Sequence, residues 1–375
     1  MKRLEASGSP SMTSAPAPAR HCTPTPHSRL LIPLTPSPPH PFIPLGATEM
    51  TVFLTDADVR AAFEWADAIA ALRSAYAAPP DETRFPARTM ARGDGLWLRT
   101  LSGVPGDGGP MGAKLIAASP RHRRASYLIP LFDQESMELT ALLDGHSITG
   151  FRTAATSALA ADLLAPAGPL RVGVIGSGFE AQNHVRALAA TRTLSSVTVF
   201  SPNPASRTRF TRELADLGLP LATAESPEAA VADADLVVCA ARSRDERPTL
   251  RQAPAGVTIV SIGSTLPEQR ELATEVIARA EVIVADMVDE VAEDTGDLIA
   301  ARKAGIDLAG KVVPLADVVS GRVSGRPADD PDAVVIYKSV GSAAQDLAVA
   351  AMCTRRAAQL SLGTELPVTI SPVSK

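Results

Sequence analysis

The sequence predicts an α/β protein in which a Rossmann-type, doubly wound parallel sheet is joined to a smaller α+β domain. Three observations predict it. Residues 170–190, LRVGVIGSGFEAQNHVRALAA, pass from an apolar run (Val172 to Ile175) through Gly176-Ser177-Gly178 into a segment whose Ala181, Val185 and Leu188 recur at helical spacing. From there to about residue 285, strand-like apolar runs alternate with helix-period segments, the pattern of a parallel sheet with crossover helices. Between residues 88 and 143, short strand-like runs follow one another without helices, which suits an antiparallel or mixed sheet.

The first 49 residues stand apart, holding eleven of the 32 prolines and three of the six histidines among many Ser and Thr, a composition that cannot build a packed core. They read as disordered. Met50 directly precedes the first expected strand, Thr51 to Leu54, so it reads as the natural start and residues 1–49 as an extension foreign to the native protein.

A helix is expected over Asp56 to Ala77, where Val59, Ala62, Phe63, Ala66, Ile69 and Leu72 recur every three or four residues until Pro79-Pro80 stops it. Strands follow around Arg88 to Ala91, Gly95 to Leu101, Met111 to Ala117, Tyr127 to Asp133 and Leu139 to Leu143. The alanine-rich helix Ser147 to Leu164 bridges into the glycine motif. Beyond it come strands Ser196 to Phe200, Leu219 to Thr223, Leu236 to Ala240, Val257 to Ile262 and Val282 to Ala285. The helices between them are Pro204 to Leu217, Glu228 to Val231 and Glu271 to Ala280. The part from Leu315 to Leu362, with a helix over Gly341 to Ala358, is expected to follow the sheet rather than extend it and to pack back on the first domain. The expected domains are thus 50–150, completed by 315–375, and 151–314.

Composition excludes several classes. A net charge of −5 offers no field for a nucleic acid. Cys22, Cys239 and Cys353 lack the spacing of a disulfide framework or a metal site, which fits a reducing cytoplasm. No apolar run approaches the roughly 20 residues of a membrane helix.

The glycine motif carries chemistry. Gly176 permits a tight turn, Gly178 lets backbone approach a pyrophosphate, and Ala181 is the third small residue of a dinucleotide fingerprint that includes Ser177, Phe179 and Glu180. The free N–H groups at the helix start attract the anion. An NAD site normally carries an acid at the end of its second strand, yet here the chain reads Phe200-Ser201-Pro202-Asn203, with Arg207 following. Ser201, Asn203 and Arg207 can each donate to a 2′-phosphate, which predicts NADP(H) over NAD(H). The bland alternative is a solvated loop.

Further stretches add to a pattern: Gly112-Ala113-Lys114, Asp144-Gly145, Arg152-Thr153-Ala154-Ala155, Gly263-Ser264 with Arg270-Glu271-Leu272, and Lys338-Ser339-Val340-Gly341 with Asp346-Leu347-Ala348. Through them the sequence resembles the ornithine cyclodeaminase and mu-crystallin family of nicotinamide-dependent enzymes. The resemblance implies a homodimer built through the first domain and a small imino or amino acid substrate. It implies that Arg88, Lys114 and Arg152 hold the substrate carboxylate and that Ser339 approaches the nicotinamide. Arg suits a carboxylate by its planar fork, and Lys can also donate a proton. The plainer readings are surface ion pairs for Arg88 and Arg152, a snorkelling Lys114, and a helix-capping Ser339.

At the position where the family's cyclodeaminases carry a catalytic aspartate, this chain has Thr265. A threonine hydroxyl is no general base near neutral pH, whereas reduction of a preformed C=N bond needs only a proton donor. The expected function is therefore imine reduction, with ornithine cyclodeamination and non-catalytic NADPH binding as alternatives. His184 is read as a packing residue and His146 is given no role. Side-chain selectivity is expected around His122 to Tyr127, beside the basic run Arg121 to Arg124, and around Asp286 to Glu290.

Overall fold

A computed structural model describes residues 50–241, 249–367, 370 and 372–374. The expectations for residues 1–49, Cys22 included, lie outside the described residues.

The chain opens with β1 (Val52–Leu54), α1 (Asp56–Ala62) and α2 (Trp65–Ala77). Thr55 starts α1 through a capping box: its hydroxyl accepts from the Asp58 N–H, and the Asp58 carboxylate accepts from the Thr55 N–H at 3.0 Å. The single helix expected over Asp56 to Ala77 is broken at Phe63 and Glu64, both extended. The break lets the Phe63 ring stack on Phe151 with 4.3 Å between centroids while Trp65 meets it edge-on at 4.7 Å. Burial of that aromatic cluster outweighs local helix propensity. It also rotates the second segment, so Ala66 faces solvent and Ala68, Ile69 and Leu72 face the core.

Five strands follow: β2 (Thr89–Gly93), β3 (Leu96–Gly103), β4 (Met111–Ser119), β5 (Arg124–Phe132) and β6 (Leu139–Asp144). Direct register partners share a face. One face therefore carries Arg92 opposite Trp97, Met90 opposite Arg99, Lys114 opposite Leu101, and Ile116 between Arg99 and Tyr127. The other carries Leu98, Ala117 and Ser126 in one row and Thr100, Leu115 and Leu128 in the next.

Helix α3 (His146–Leu164) is buried on nearly every side, as expected of an alanine-rich helix sandwiched between layers. It leads into β7 (Leu170–Ile175), α4 (Phe179–Thr191), β8 (Leu194–Phe200), α5 (Pro204–Glu213), β9 (Leu221–Thr223), α6 (Pro227–Val231), β10 (Leu236–Cys239) and β11 (Thr258–Ser261). Next come α7 (Thr274–Arg279), β12 (Ala280–Ala285), α8 (Val288–Asp294), α9 (Gly296–Lys303), β13 (Val312–Pro314) and α10 (Leu315–Val319). The chain closes with β14 (Val334–Lys338), α11 (Ala343–Gln359) and β15 (Thr364–Glu365). The helix expected over Pro204 to Leu217 ends early: Asn203 caps its start by accepting from the Ala205 N–H, and a 3-10 turn, Ala215–Leu217, closes on Gly218 in the left-handed region.

Among the described residues, one sheet runs β15-β1-β6-β5-β4-β3-β2, antiparallel except for β1 beside β6. The other runs β13-β12-β14-β11-β10-β7-β8-β9 and is parallel throughout. The fold class is the α/β arrangement read from the sequence, with one correction. The C-terminal part does extend the parallel sheet, because β14 sits between β11 and β12 with Val335, Ile336 and Tyr337 buried on both faces. The helix after it, α11, returns to the other sheet and packs on α2, β3, β4 and β5.

Candidate active site

The order of the parallel sheet reverses at β7, so the crevice beyond the carboxyl ends of β7 and β10 is where such a sheet binds a ligand. A cleft of about 1440 Å³ opens there. Gly176 ends β7 at φ +112°, and a β-carbon on it would lie 2.7 Å from the Ala240 carbonyl oxygen, so the turn requires glycine on both counts. Gly178 faces open space, lines the cleft and begins α4 with no side-chain cap. Buried Ser177 and Ala181 flank it, while Phe179 and Glu180 line the cleft. Uncapped N–H groups at the start of a 13-residue helix, with backbone open to approach, fit a pyrophosphate.

Three further elements deliver cations to the same cleft. Lys114 comes from β4, Arg152 from α3, and Arg88 from the segment before β2. None is a surface ion pair: their side chains are 1%, 7% and 8% exposed. Lys114 Nζ donates to Asp346 Oδ1 at 2.8 Å, and Arg152 Nε lies 3.0 Å from the same oxygen. Two cations thus share one buried carboxylate, leaving a net positive charge for an incoming anion. Burial, then the neighbouring Arg152 charge, pulls the Lys114 ammonium down to about 8 despite Asp346. Arg88 pairs with Glu290 at 2.8 Å and donates to the carbonyls of Val340 and Thr265, both at 3.3 Å. Burial raises the Glu290 carboxyl above its usual range.

The cleft floor is the turn from β14 into α11. Ser339 donates to Asp286 Oδ2 at 2.6 Å, and the same carboxylate accepts from the N–H groups of Val340 and Gly341 and from Gln345. Gly341 sits at φ +87°, where a β-carbon would come within 2.5 Å of the Arg152 guanidinium. Thr265 lines the cleft, its N–H and hydroxyl both directed at Gln269 Oε1. Behind it, Glu271 accepts from Gly263 N–H, Ala241 N–H and Ser261 and fixes that loop.

The structure brings Arg88, Lys114, Arg152, Thr265, Gly178, Phe179, Glu180 and Ser339 to one cleft. Ser201, Asn203 and Arg207 stand apart from its lining, at the end of β8. There Arg207 donates to the Ser201 carbonyl at 3.0 Å and to the exposed Glu225 at 2.8 Å. His184 is buried, held between Ser157 and the Glu180 carbonyl, and burial lowers its imidazole to about 4, so it packs as a neutral group. Among the described residues no His, Cys, Asp and Glu cluster could hold a metal ion. Sequence reasoning placed Asp346 in a family stretch and Asp286 to Glu290 in a selectivity region without pairing any of these acids with the cations, and it gave Arg99 no role. The available signal for Asp346 was an acid directly before the apolar run Leu347 to Cys353, where a buried charge demands a partner.

A model of the ornithine cyclodeaminase/mu-crystallin family matches residues 110–360. The chain is 27% identical over 264 residues to a Delta(1)-pyrroline-2-carboxylate reductase of Bacillus cereus, covering 68% of this chain and 80% of that protein. It is 30% identical over 240 residues to an iminosuccinate reductase of Paracoccus denitrificans, covering 64% and 72%. A structure of the Paracoccus reductase in complex with NAD+ shares the fold, with a TM-score of 0.77 at 24% identity over 85% of this chain and all of that one. A probable ornithine cyclodeaminase from Bordetella pertussis superposes with a TM-score of 0.74 at 31% identity, covering 83% of this chain and 99% of that one.

Proposed function

The chain belongs to the ornithine cyclodeaminase/mu-crystallin family, and from that premise we propose that it is a nicotinamide-dependent oxidoreductase that reduces the C=N bond of a small α-imino acid. The observation that carries this reading is the single cleft that an uncapped helix start at Gly178 shares with Lys114, Arg152 and Arg88. Gly176 to Ala181 hold the pyrophosphate. The bound nicotinamide supplies the hydride. Arg152 and Arg88 orient the substrate carboxylate, and Asp346 and Glu290 fix their guanidinium planes. Lys114, with its ammonium at about 8, donates the proton that the imine nitrogen needs as the carbon is reduced. The hydroxyl of Thr265 provides no base for water or amine activation.

Spectrophotometry of NADPH oxidation with cyclic imines, and with 2-oxo acids plus amines, tests this. Steady oxidation is expected with at least one imine. Tight NADPH binding without turnover of any substrate would favour a non-catalytic binding protein, and release of ammonia and proline from ornithine with catalytic NAD would favour cyclodeamination.

NADP(H) is proposed as the preferred cofactor. The end of β8 bears no carboxylate, and the amide N–H groups of Asn203 remain available after its oxygen caps α5. Glu225 competes for Arg207 as an exposed partner, a weak competitor. The expected preference in kcat/KM is about tenfold, the worth of one charge-assisted bond. Glu225→Gln is expected to widen it, and an NADH preference in the wild type would refute it.

A homodimer is proposed through the face of the seven-stranded sheet turned away from the cleft. Leu96, Leu98 and Leu128 on that sheet are 53%, 46% and 38% exposed, and Leu98 and Leu128 stand in adjacent rows, an apolar surface that a second copy would cover. Sedimentation is expected to show a dimer, and Leu98→Glu to convert it to monomer. Among the described residues no helix is long and apolar enough to cross a membrane.

A further inference from the structure

Arg99 occupies the cleft face of β3, opposite Ile116 of β4 and Met90 of β2. Its guanidinium lies 5.1 Å from the centre of the Trp97 ring, and its Nε is buried without a hydrogen-bond partner. Among the described residues no carboxylate comes within 4 Å of it; the nearby Glu290 is committed to Arg88. Its neighbours instead add positive charge. Burial and the Arg88 and Arg92 charges, partly countered by Glu290, pull the Arg99 guanidinium down to about 10. Arg92, Arg123 and Arg124 line the same wall of the cleft, and none forms an ion pair among the described residues. A half-buried cation surrounded by cations is costly in proportion to its lost hydration, a cost that an anion completing the site would offset.

The place of Arg99 relative to the carboxylate-binding cations indicates what that anion is. Lys114 and Arg99 lie on adjacent strands, one diagonal step apart on the same face, about 7–8 Å between backbones. Both side chains reach inward, so a short molecule with an acidic group at each end can meet both.

We propose that the substrate is an α-imino acid bearing a second carboxylate on its side chain, and that Arg99 receives that carboxylate. This rests on the reading of the cleft as an α-imino acid reductase. The substrate's first carboxylate engages Arg152, Arg88 and Lys114, the imine carbon lies toward Gly178 and the cofactor, and the second carboxylate takes the accessible edge of the Arg99 guanidinium. Arg92 and Arg124 extend the positive field at the entrance. The basic run at 121–124 thus contributes two of its arginines, Arg123 and Arg124, to the same wall.

Two measurements test the inference separately from the reductase reading. In the first, succinate and butyrate, both unreactive, are titrated into the NADPH-saturated protein, with thermal stabilisation and cofactor fluorescence as readouts. Succinate is expected to bind about tenfold to hundredfold more tightly. Arg99→Leu is expected to abolish that difference and Arg99→Lys to keep part of it, with NADPH affinity showing that both variants are folded. Equal binding of the two acids by the wild type, or a difference that survives Arg99→Leu, overturns the proposal and leaves Arg99 a solvated side chain stacked on Trp97. In the second, NADPH oxidation is followed with ammonia plus oxaloacetate or ammonia plus pyruvate. A kcat/KM ratio of at least about tenfold in favour of oxaloacetate, collapsing in Arg99→Leu, supports the inference. Turnover of both without preference refutes the second-carboxylate site while the reductase reading stands. Succinate selectivity without turnover of any imine refutes the reductase reading and leaves the anion site in place.

Discussion

Replacing Lys114 with alanine is expected to lower kcat/KM for imine reduction by about 10³-fold, combining roughly 10² for proton donation with about 10 for a lost charge on the carboxylate. NADPH affinity is expected to change less than about twofold, because Lys114 stands on β4 and makes no contact with the fingerprint turn among its hydrogen bonds and ion pairs. The pH profile gives the more specific readout. Lys114 must carry its proton to donate it, and burial has brought its ammonium to about 8. Wild-type activity should therefore be full below that pH and fall as pH rises through it, while the weak residual activity of the variant should lack that limb. Unimpaired turnover in Lys114→Ala would refute the assignment.

Asp346→Asn should produce the second largest change, and on two separate scales. Asp346 is fully buried and neutralises part of the charge of Lys114 and Arg152. Removing one partner of a buried ion pair costs about 3–5 kcal/mol, read as a fall in the denaturant midpoint. The Asp346 charge also holds the Lys114 ammonium up against burial and against Arg152. Without it, the alkaline limb of the activity profile is expected to move to lower pH. Loss of stability with an unmoved limb would reduce Asp346 to a packing role; movement of the limb identifies it as the group that positions and tunes the donor.

How much of this was legible in the sequence divides along physical lines. The glycine turn and the strand–helix alternation are local patterns, and they predicted β7 through β12 with small errors at the ends. The break at Phe63 was hidden because its cause, stacking on Phe151, lies 88 residues away. Val334 to Lys338 is an evident apolar run, yet its insertion between β11 and β12 is a matter of spatial order that periodicity does not encode. In the cleft the cations were easier to find than the acids. Arg88, Lys114 and Arg152 stand in short recognisable runs, whereas Asp346, Asp286 and Glu290 sit at or near helix starts, where an acid is ordinarily a solvated dipole partner. Arg99 was missed because an arginine within a strand reads as an outward-facing charge until the register sets it between Met90 and Ile116, on the cleft face with Trp97.

The position of β14 limits how the protein can be cut. A fragment ending at residue 314 would lose the strand that joins β11 to β12, leaving two facing hydrogen-bonding edges with nothing between them. The nucleotide half is therefore not separable as a continuous stretch of chain. Residues 151–314 expressed alone should aggregate, and adding residues 315–342 in the same polypeptide should restore solubility. For the same reason, a circular permutation that keeps β14 with β12 is expected to be tolerated where simple dissection is not.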